Sequence, residues 1–363
     1  MSEYETLAKS VLRKTLRLKP GENVIVETWN HGLPIATEFV YQARALGARP
    51  LLTFEDEGTF WRSAATLPKA KQGQVGSHEW AAMKEADAYV FITGPADIAK
   101  IREVGQDKWS AMTSYNAEWY ERSKKYRIRG ARIGLGYVSV ERSRSYGFDF
   151  DAWRRMMLDA SSVEPAVLRR NGQTIQRLLS HKGRVVVTAR NGTHFEFDLT
   201  GRKAVLDDGV ITKQKLDEGE NMASVPAGEV AVLPDAASGE GTIRFDRPVA
   251  SIGRWMKGVT VAFENGRAVK WSAEENDGLL RPDWEKGGKD RGLLAGFDIG
   301  LNPAAQTGFL QDYLQAGNVY IAIGDAEEFG GKSTTDFYLA STLTGATVTV
   351  GGKTVVEGGR LVA

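Results

Sequence analysis

Apolar positions along the first part of the chain alternate between a helical and an extended rhythm. Leu7, Ala8, Val11, Leu12, Leu16 and Leu18 follow mostly helical spacing and stop at Lys19-Pro20-Gly21, which predicts a first helix over residues 5–18. An apolar run over Asn23–Thr28 predicts a strand, Pro34–Leu46 a helix stopped by Gly47, and Arg49–Phe54 a second strand. Two further strands are expected over Ala88–Thr93 and Ala131–Gly136, with helical segments between them. Strand, helix, strand order implies right-handed crossovers and parallel pairing. Residues 1–148 therefore predict an α/β domain with an open, mostly parallel sheet. Ligands of such sheets collect beyond the carboxyl ends of the strands, here Trp29-Asn30-His31 and Gly94-Pro95-Ala96-Asp97. No loop has Gly-x-Gly-x-x-Gly spacing and none is a phosphate loop, so nucleotide binding is not expected.

Residues 149–182 predict a helical connection, in which Trp153, Met156, Met157, Val163, Val167, Ile175, Leu178 and Leu179 read as core-facing positions. After His181 the period shortens to two. Arg184–Ala189 and His194–Leu199 flank Asn191-Gly192, a pair that takes the positive φ of a tight hairpin turn. Strands are expected over 229–233, 241–245, 259–263, 268–271, 319–323 and 347–350, with a turn at Asn265-Gly266. Many short strands with Gly-rich turns predict a β-rich domain over 183–363, a barrel or a sandwich. No repeat or low-complexity linker intervenes, so the boundary near residue 182 is a change of architecture.

Composition narrows the chemistry. A chain of 363 residues exceeds one ordinary core, which agrees with two domains. Its 47 basic and 46 acidic residues leave no electrostatic footprint for nucleic acid or an anionic membrane. With no cysteine, a disulfide, a thiolate nucleophile and a Cys-containing zinc site are excluded. No run approaches the ~20 apolar residues of a membrane span, and Met1–Lys9 lacks the basic start and apolar core of a signal peptide. A cytoplasmic protein is the expectation.

The stretch from Arg291 to Ala340 concentrates candidate chemistry without a histidine. Asp298, Asp325, Glu327, Glu328 and Asp336 fall at turns and strand ends among Gly324, Gly330 and Gly331, where backbone turns sharply and approaches ligands closely. His31 lies beyond a strand end, where it can line a substrate pocket. His78 marks a helix start, and His194 lies on a strand surface. Neither a Gly-x-Ser-x-Gly elbow nor a Ser-x-x-Lys motif is present.

Several motifs agree in order: Asn191–Leu199, Val225–Glu229, Gly239–Ile243, Phe263–Gly266, Gly300-Leu-Asn302-Pro303, Gly317-Asn318, Ile321–Gly324 and Gly330-Gly331. Through them the chain resembles the metallo-aminopeptidases of the aminopeptidase T and aminopeptidase S type, and the related 2,5-dihydroxypyridine dioxygenases. The resemblance implies their two-domain fold, a homodimer, and a metal site whose first glutamate is Glu229. It places the family's other ligands on Gly296, Tyr320, a position on or near Glu327, Tyr338 and Ala340. A shift of two residues would put Asp298 at the lost second glutamate. A carboxylate-only set (Glu229, Asp298, Asp325, Glu327, Asp336) is the remaining way to hold a hard cation. The expectation is instead no metal and no cofactor. Two carboxylates in one pocket drive each other's pKa apart into an acid and a base, and a tyrosine hydroxyl can hold an oxyanion. Glu229, Asp298, Glu327 and Asp336 with Tyr320 and Tyr338 are the candidate catalytic residues; His31, Asn302, Asp325 and Lys332 are the candidate substrate contacts. The expected partner is a small amide or nitrogen-heterocyclic substrate, split by a metal-independent hydrolase. Two alternatives stay open: a metallo-aminopeptidase or ring-cleaving dioxygenase with rearranged ligands, and a non-catalytic small-molecule-binding protein.

Overall fold

The computed structural model describes residues 2–332 and 335–363, and the chain forms two compact units. The first is Met1–Ser162 with Gly209–Pro226; the second is Val163–Asp208 with Ala227–Ala363. Strands β1 (Asn23–Trp29), β2 (Arg49–Glu55), β3 (Ala88–Ile92) and β4 (Arg129–Ile133) open the first unit. The chain then enters the second unit for β5 (Lys182–Thr188), β6 (His194–Thr200) and β7 (Val205–Asp207), and returns to the first with β8 (Met222–Val225). All five strands of the first sheet run parallel, in the order β2-β1-β3-β4-β8.

Helix Leu33–Ala45 carries Pro34 in its first turn, where the missing N–H costs nothing, and buries Ile35, Ala36, Phe39 and Ala43. The helix expected over 5–18 is α-helical only over Glu5–Ser10 and widens into a π-helical turn at Val11–Thr15. There the Leu16 N–H reaches the Val11 carbonyl at 2.9 Å, and Leu12 and Leu16 are both kept inside. The strand expected over 131–136 ends at Ile133 and gives way to a 3-10 turn at Gly134–Tyr137. Gly136 is required there, because a Cβ would lie 2.3 Å from the Thr93 carbonyl oxygen.

The expectation of one β-rich domain running from residue 183 is corrected by β8. Residues 209–226 leave the strand-rich unit and complete the parallel sheet, pairing Gly130 with Met222 through Ile133 with Val225. The four residues Met222–Val225, just before Pro226, are too short a run for periodicity to assign. The expected helical connection divides as well, with Phe150–Ser161 in the first unit and Pro165–Leu179 in the second.

The second unit continues with β9 (Glu229–Val232), β10 (Gly239–Arg244), β11 (Val249–Ser251), β12 (Arg254–Met256), β13 (Thr260–Ser272), β14 (Leu294–Gly300) and β15 (Val319–Gly324). It ends with β16 (Tyr338–Leu343), β17 (Thr347–Val350), β18 (Lys353–Glu357) and β19 (Arg360–Leu361). One antiparallel sheet has the order β13-β10-β6-β5-β17-β18-β19, the other β16-β15-β14-β9-β7. Val185, Val187, Phe195 and Phe197 of the first sheet share one core with Val230, Phe297, Ile299 and Ile321 of the second. Leu168, Ile175 and Leu179 of helix Pro165–Leu179 join them. Two separate sheets on a common core make a sandwich, the second of the two architectures expected.

The predicted turn at Asn265-Gly266 is corrected. Both residues keep positive φ, 52° and 75°, but β13 passes through them as one strand. The pairing slips between Gly241–Phe263 and Gly239–Gly266, so one extra residue is absorbed in a bulge. A Cβ at Gly266 would lie 1.8 Å from the Ala237 oxygen, which explains the glycine without a hairpin. Among the described residues no helix is long and apolar enough to cross a membrane.

Phe297 is fully buried, with its ring 5.0 Å from that of Phe197. Phe297→Ala is expected to destabilise the second unit by roughly 3–5 kcal/mol, read as a fall in its denaturant midpoint; a loss below about 1 kcal/mol would contradict this packing.

Candidate functional site

The five-stranded sheet has two unlike faces because its side chains alternate. Val230, Val232, Phe297, Ile299, Ile321 and Ile323 point into the core. The residues between them, Glu229, Asp298 and Tyr320, therefore stand on the opposite face. Asp207 on β7 pairs directly with Glu229 on β9. Glu229 pairs with Gly300, and Asp298 with Ala231, so the two acids are diagonal neighbours. Asp298 in turn stands directly opposite Tyr320 on β15. Three carboxyl groups and a phenol thus cross four adjacent strands.

Beyond Tyr320 the face becomes apolar. Ala295, Ala322 and Ala326 form a small buried cluster with Leu233, Phe329, Tyr338 and Ala340 packed around it. Tyr320 and Tyr338 hydroxyls lie 3.2 Å apart, and the Tyr338 hydroxyl donates to Glu328 Oε2 at 3.0 Å. Glu328 sits in the short 3-10 turn Glu327–Phe329 and is exposed. The chain Tyr320, Tyr338, Glu328 therefore links the sheet face to solvent.

Electrostatics single out the two central acids. Burial pushes the Glu229 carboxyl well above the ordinary range, and the charges of Asp207 and Glu328 add to the shift. Asp298 is raised by burial first, then by Glu229 and Glu328. Among the described residues Glu229 Oε2 and Asp298 Oδ1 are buried without a hydrogen-bond partner. Burial also raises both phenols above their usual pKa, so Tyr320 and Tyr338 stay protonated.

These groups do not fit the metal pair that the resemblance implies. At two of the implied ligand positions stand Tyr320 and Tyr338, whose hydroxyls bond to each other at 3.2 Å. At Gly296, where the second glutamate was placed, a Cβ would lie 2.2 Å from Phe329 Cζ, so an aromatic ring fills that space. Ala340 offers no donor atom. Among the described residues no group of three or more His, Cys, Asp or Glu is arranged to hold a metal ion.

The remaining candidates scatter. Glu327, Lys332 and Asp336 are exposed. Asp325 Oδ1 accepts the Glu327 N–H at 3.0 Å and so shapes the turn. Asn302 is corrected from substrate contact to scaffold: its Nδ2 donates to the Ala227 carbonyl at 2.8 Å, and its Oδ1 accepts from the N–H groups of Ala304 and Ala305. With 0% exposure it holds its loop and presents no surface. His31 belongs to the first unit, where Nε2 donates to the Gly136 carbonyl at 2.6 Å. Asp207 was not singled out in the sequence, and Glu328 was read as one of the acids at turns and strand ends but given no catalytic or substrate-binding role. Three-residue β7 leaves no periodic signal, and nothing in the sequence separates Glu328 from its neighbour Glu327; only pairing and turn geometry do.

The description "Thermophilic metalloprotease (M29)" belongs to a family whose sequence model matches residues 168–285. Wild-type AmpT from Thermus thermophilus superposes with a TM-score of 0.75 at 18% identity, covering 99% of each chain. The 2,5-dihydroxypyridine dioxygenase of Pseudomonas putida KT2440 superposes with a TM-score of 0.65 at 18% identity, over 100% of this chain and 98% of that one. No curated protein sequence matches. The fold is that of AmpT, and the family likeness read from the motifs is matched through the middle of the chain, with most of the metal-ligand positions implied by the resemblance substituted and Glu229 retained.

The raised acids carry a pH signature. Below about pH 3, folded and unfolded chains are both largely protonated at Glu229 and Asp298. As pH rises, the unfolded chain releases these protons first, so stability is lost until pH passes the folded values. The thermal midpoint is expected to fall from about pH 5 to about pH 8, and Asp298→Asn to flatten that fall. A slope unchanged by the substitution would contradict the raised carboxyl.

Proposed function

We propose that this aminopeptidase T-like scaffold works as a metal-independent hydrolase, acting on a small amide or nitrogen-heterocyclic substrate by carboxylate and tyrosine acid-base chemistry. The observation that carries the reading is the Glu229–Asp298 pair, two buried and electrostatically coupled acids, each with an unpartnered oxygen. Coupled acids of this kind share a proton, leaving one as base and the other as acid. The base takes a proton from water as the water oxygen bonds to the amide carbon. The acid then gives its proton to the nitrogen as the C–N bond breaks. Tyr320, protonated and opposite Asp298, gives its one hydroxyl hydrogen to Tyr338 in the free protein, and turning that hydrogen to the substrate makes it the donor for the developing oxyanion. The pair ends the cycle with its one proton moved from acid to base, while Tyr338, bonded to Glu328, fixes the position of the Tyr320 hydroxyl. Glu327 and Asp336 have the weaker claim because both are exposed.

A second reading has its own support. The unpartnered buried oxygens of Glu229 and Asp298 equally suit a protein that binds a small hydrogen-bond donor without converting it. As with its relatives by resemblance, we take the working form to be a cytoplasmic homodimer, which light scattering tests.

Turnover of a panel of small amides and pyridine amides separates the readings. Glu229→Gln is expected to lower kcat by roughly 10²–10⁴ while leaving ligand affinity within a few-fold, and dialysis against a chelator to leave the rate unchanged. Activity lost to the chelator and restored by zinc or manganese would overturn the proposal. Binding without turnover by the wild type would favour the second reading.

A further inference from the structure

The first unit contains a cavity of 470 Å³ that none of the chemistry above uses. Its size is that of a small-molecule site. Its floor is one face of the parallel sheet, where Ile25 and Glu27 of β1 stand beside Leu51 and Thr53 of β2. Tyr89 of β3 lies next to Ile25 in register, and its hydroxyl donates to Glu27 Oε2. Tyr89 meets Trp119 edge to face at 4.9 Å, and Phe60 and Tyr115 supply further ring surface to the walls.

The charges lining this space are unbalanced. Glu27, Glu55 and Glu79 face Lys71 and His78. Lys71 is exposed, and the His78 side chain is 85% exposed with its Nε2 3.8 Å from Glu79. Glu79 also caps helix Ser77–Lys84 by accepting the Gly76 N–H at 3.1 Å. Burial raises the Glu27 carboxyl, with Glu55 and Glu79 adding repulsion against the bond from Tyr89. Glu55 is raised by burial and then by Asp56 and Glu79. Independently, the Thr53 hydroxyl oxygen is buried in the same wall without a hydrogen-bond partner among the described residues.

We propose that this cavity is a binding site for a small organic cation, an ammonium group on a compact apolar frame. Aromatic rings attract such a cation through their faces, carboxylates through charge, and the two together are the recognition chemistry of alkylammonium ligands. A metal ion is the poorer occupant, since no three acidic or histidine side chains among the described residues converge to hold one. The ammonium relieves the mutual repulsion of Glu27, Glu55 and Glu79, and a hydroxyl or amine hydrogen on its frame can satisfy Thr53. The site does not depend on the hydrolase reading.

Calorimetric titration of the full chain with choline and with 3,3-dimethylbutan-1-ol, its neutral isostere, tests the proposal. Choline is expected to bind saturably at one site per chain, and the neutral isostere about ten-fold or more weakly. Glu27→Gln and Trp119→Leu are each expected to weaken choline by about ten-fold, with Glu55→Gln at the exposed rim as the substitution to use if either fails to fold. Three results would overturn the proposal: no saturable binding of choline, tetramethylammonium or benzyltrimethylammonium; equal affinity for the neutral isostere; or choline affinity unchanged in all folded variants.

Discussion

Two carboxyl groups shut against the outer face of a β-sheet, with nothing among the described residues to bond their inner oxygens, set the terms for the rest of the second unit. Glu229 and Asp298 are diagonal neighbours on β9 and β14, and burying both as charges is costly unless they share a proton or a ligand supplies one. The opposite face of the same strands builds the core, with Val230, Phe297 and Ile299 fully buried. Register therefore cannot slip to relieve the acids. A shift of one residue would turn the hydrophobic set outward and the carboxyls inward.

The same constraint lets residues on the acid face vary without loss of fold. Change on that face leaves the core face untouched. Phe329 lies over Gly296, and Tyr320 and Tyr338 bond to each other at positions where the resemblance implies ligands. What survives is the sheet, its glycines, and the first acid, Glu229. The TM-score of 0.75 to AmpT at 18% identity shows how little sequence that architecture demands.

Much of the first sheet was legible because its strands are apolar runs bounded by clear helix signals. Asn23–Trp29 and Ala88–Ile92 fall within a residue or so of their predicted limits. β8 was not legible, since four residues before a proline carry no period and their partner β4 lies about ninety residues earlier in the chain. Asn265-Gly266 misled because positive φ serves a bulge as well as a turn. In the site, Glu229 was readable as an acid opening a strand and Asp298 only as an acid at a turn or strand end; that Asp298 lies inside β14 opposite Tyr320 was not readable, because register between distant strands is a tertiary property. Asn302 looked polar and available; its burial and its three backbone bonds are visible only in the folded loop.

Protonation of the acid pair decides the chemistry of this face, and side-chain carboxyl ¹³C NMR of Glu229 and Asp298 reads it directly across the pH range. The prediction is that both titrate well above ordinary carboxylates, with one proton still held near neutrality, and that stoichiometric zinc or manganese leaves their resonances in place. Titration of both groups in the ordinary carboxylate range, or displacement of their resonances by one equivalent of metal, would contradict it.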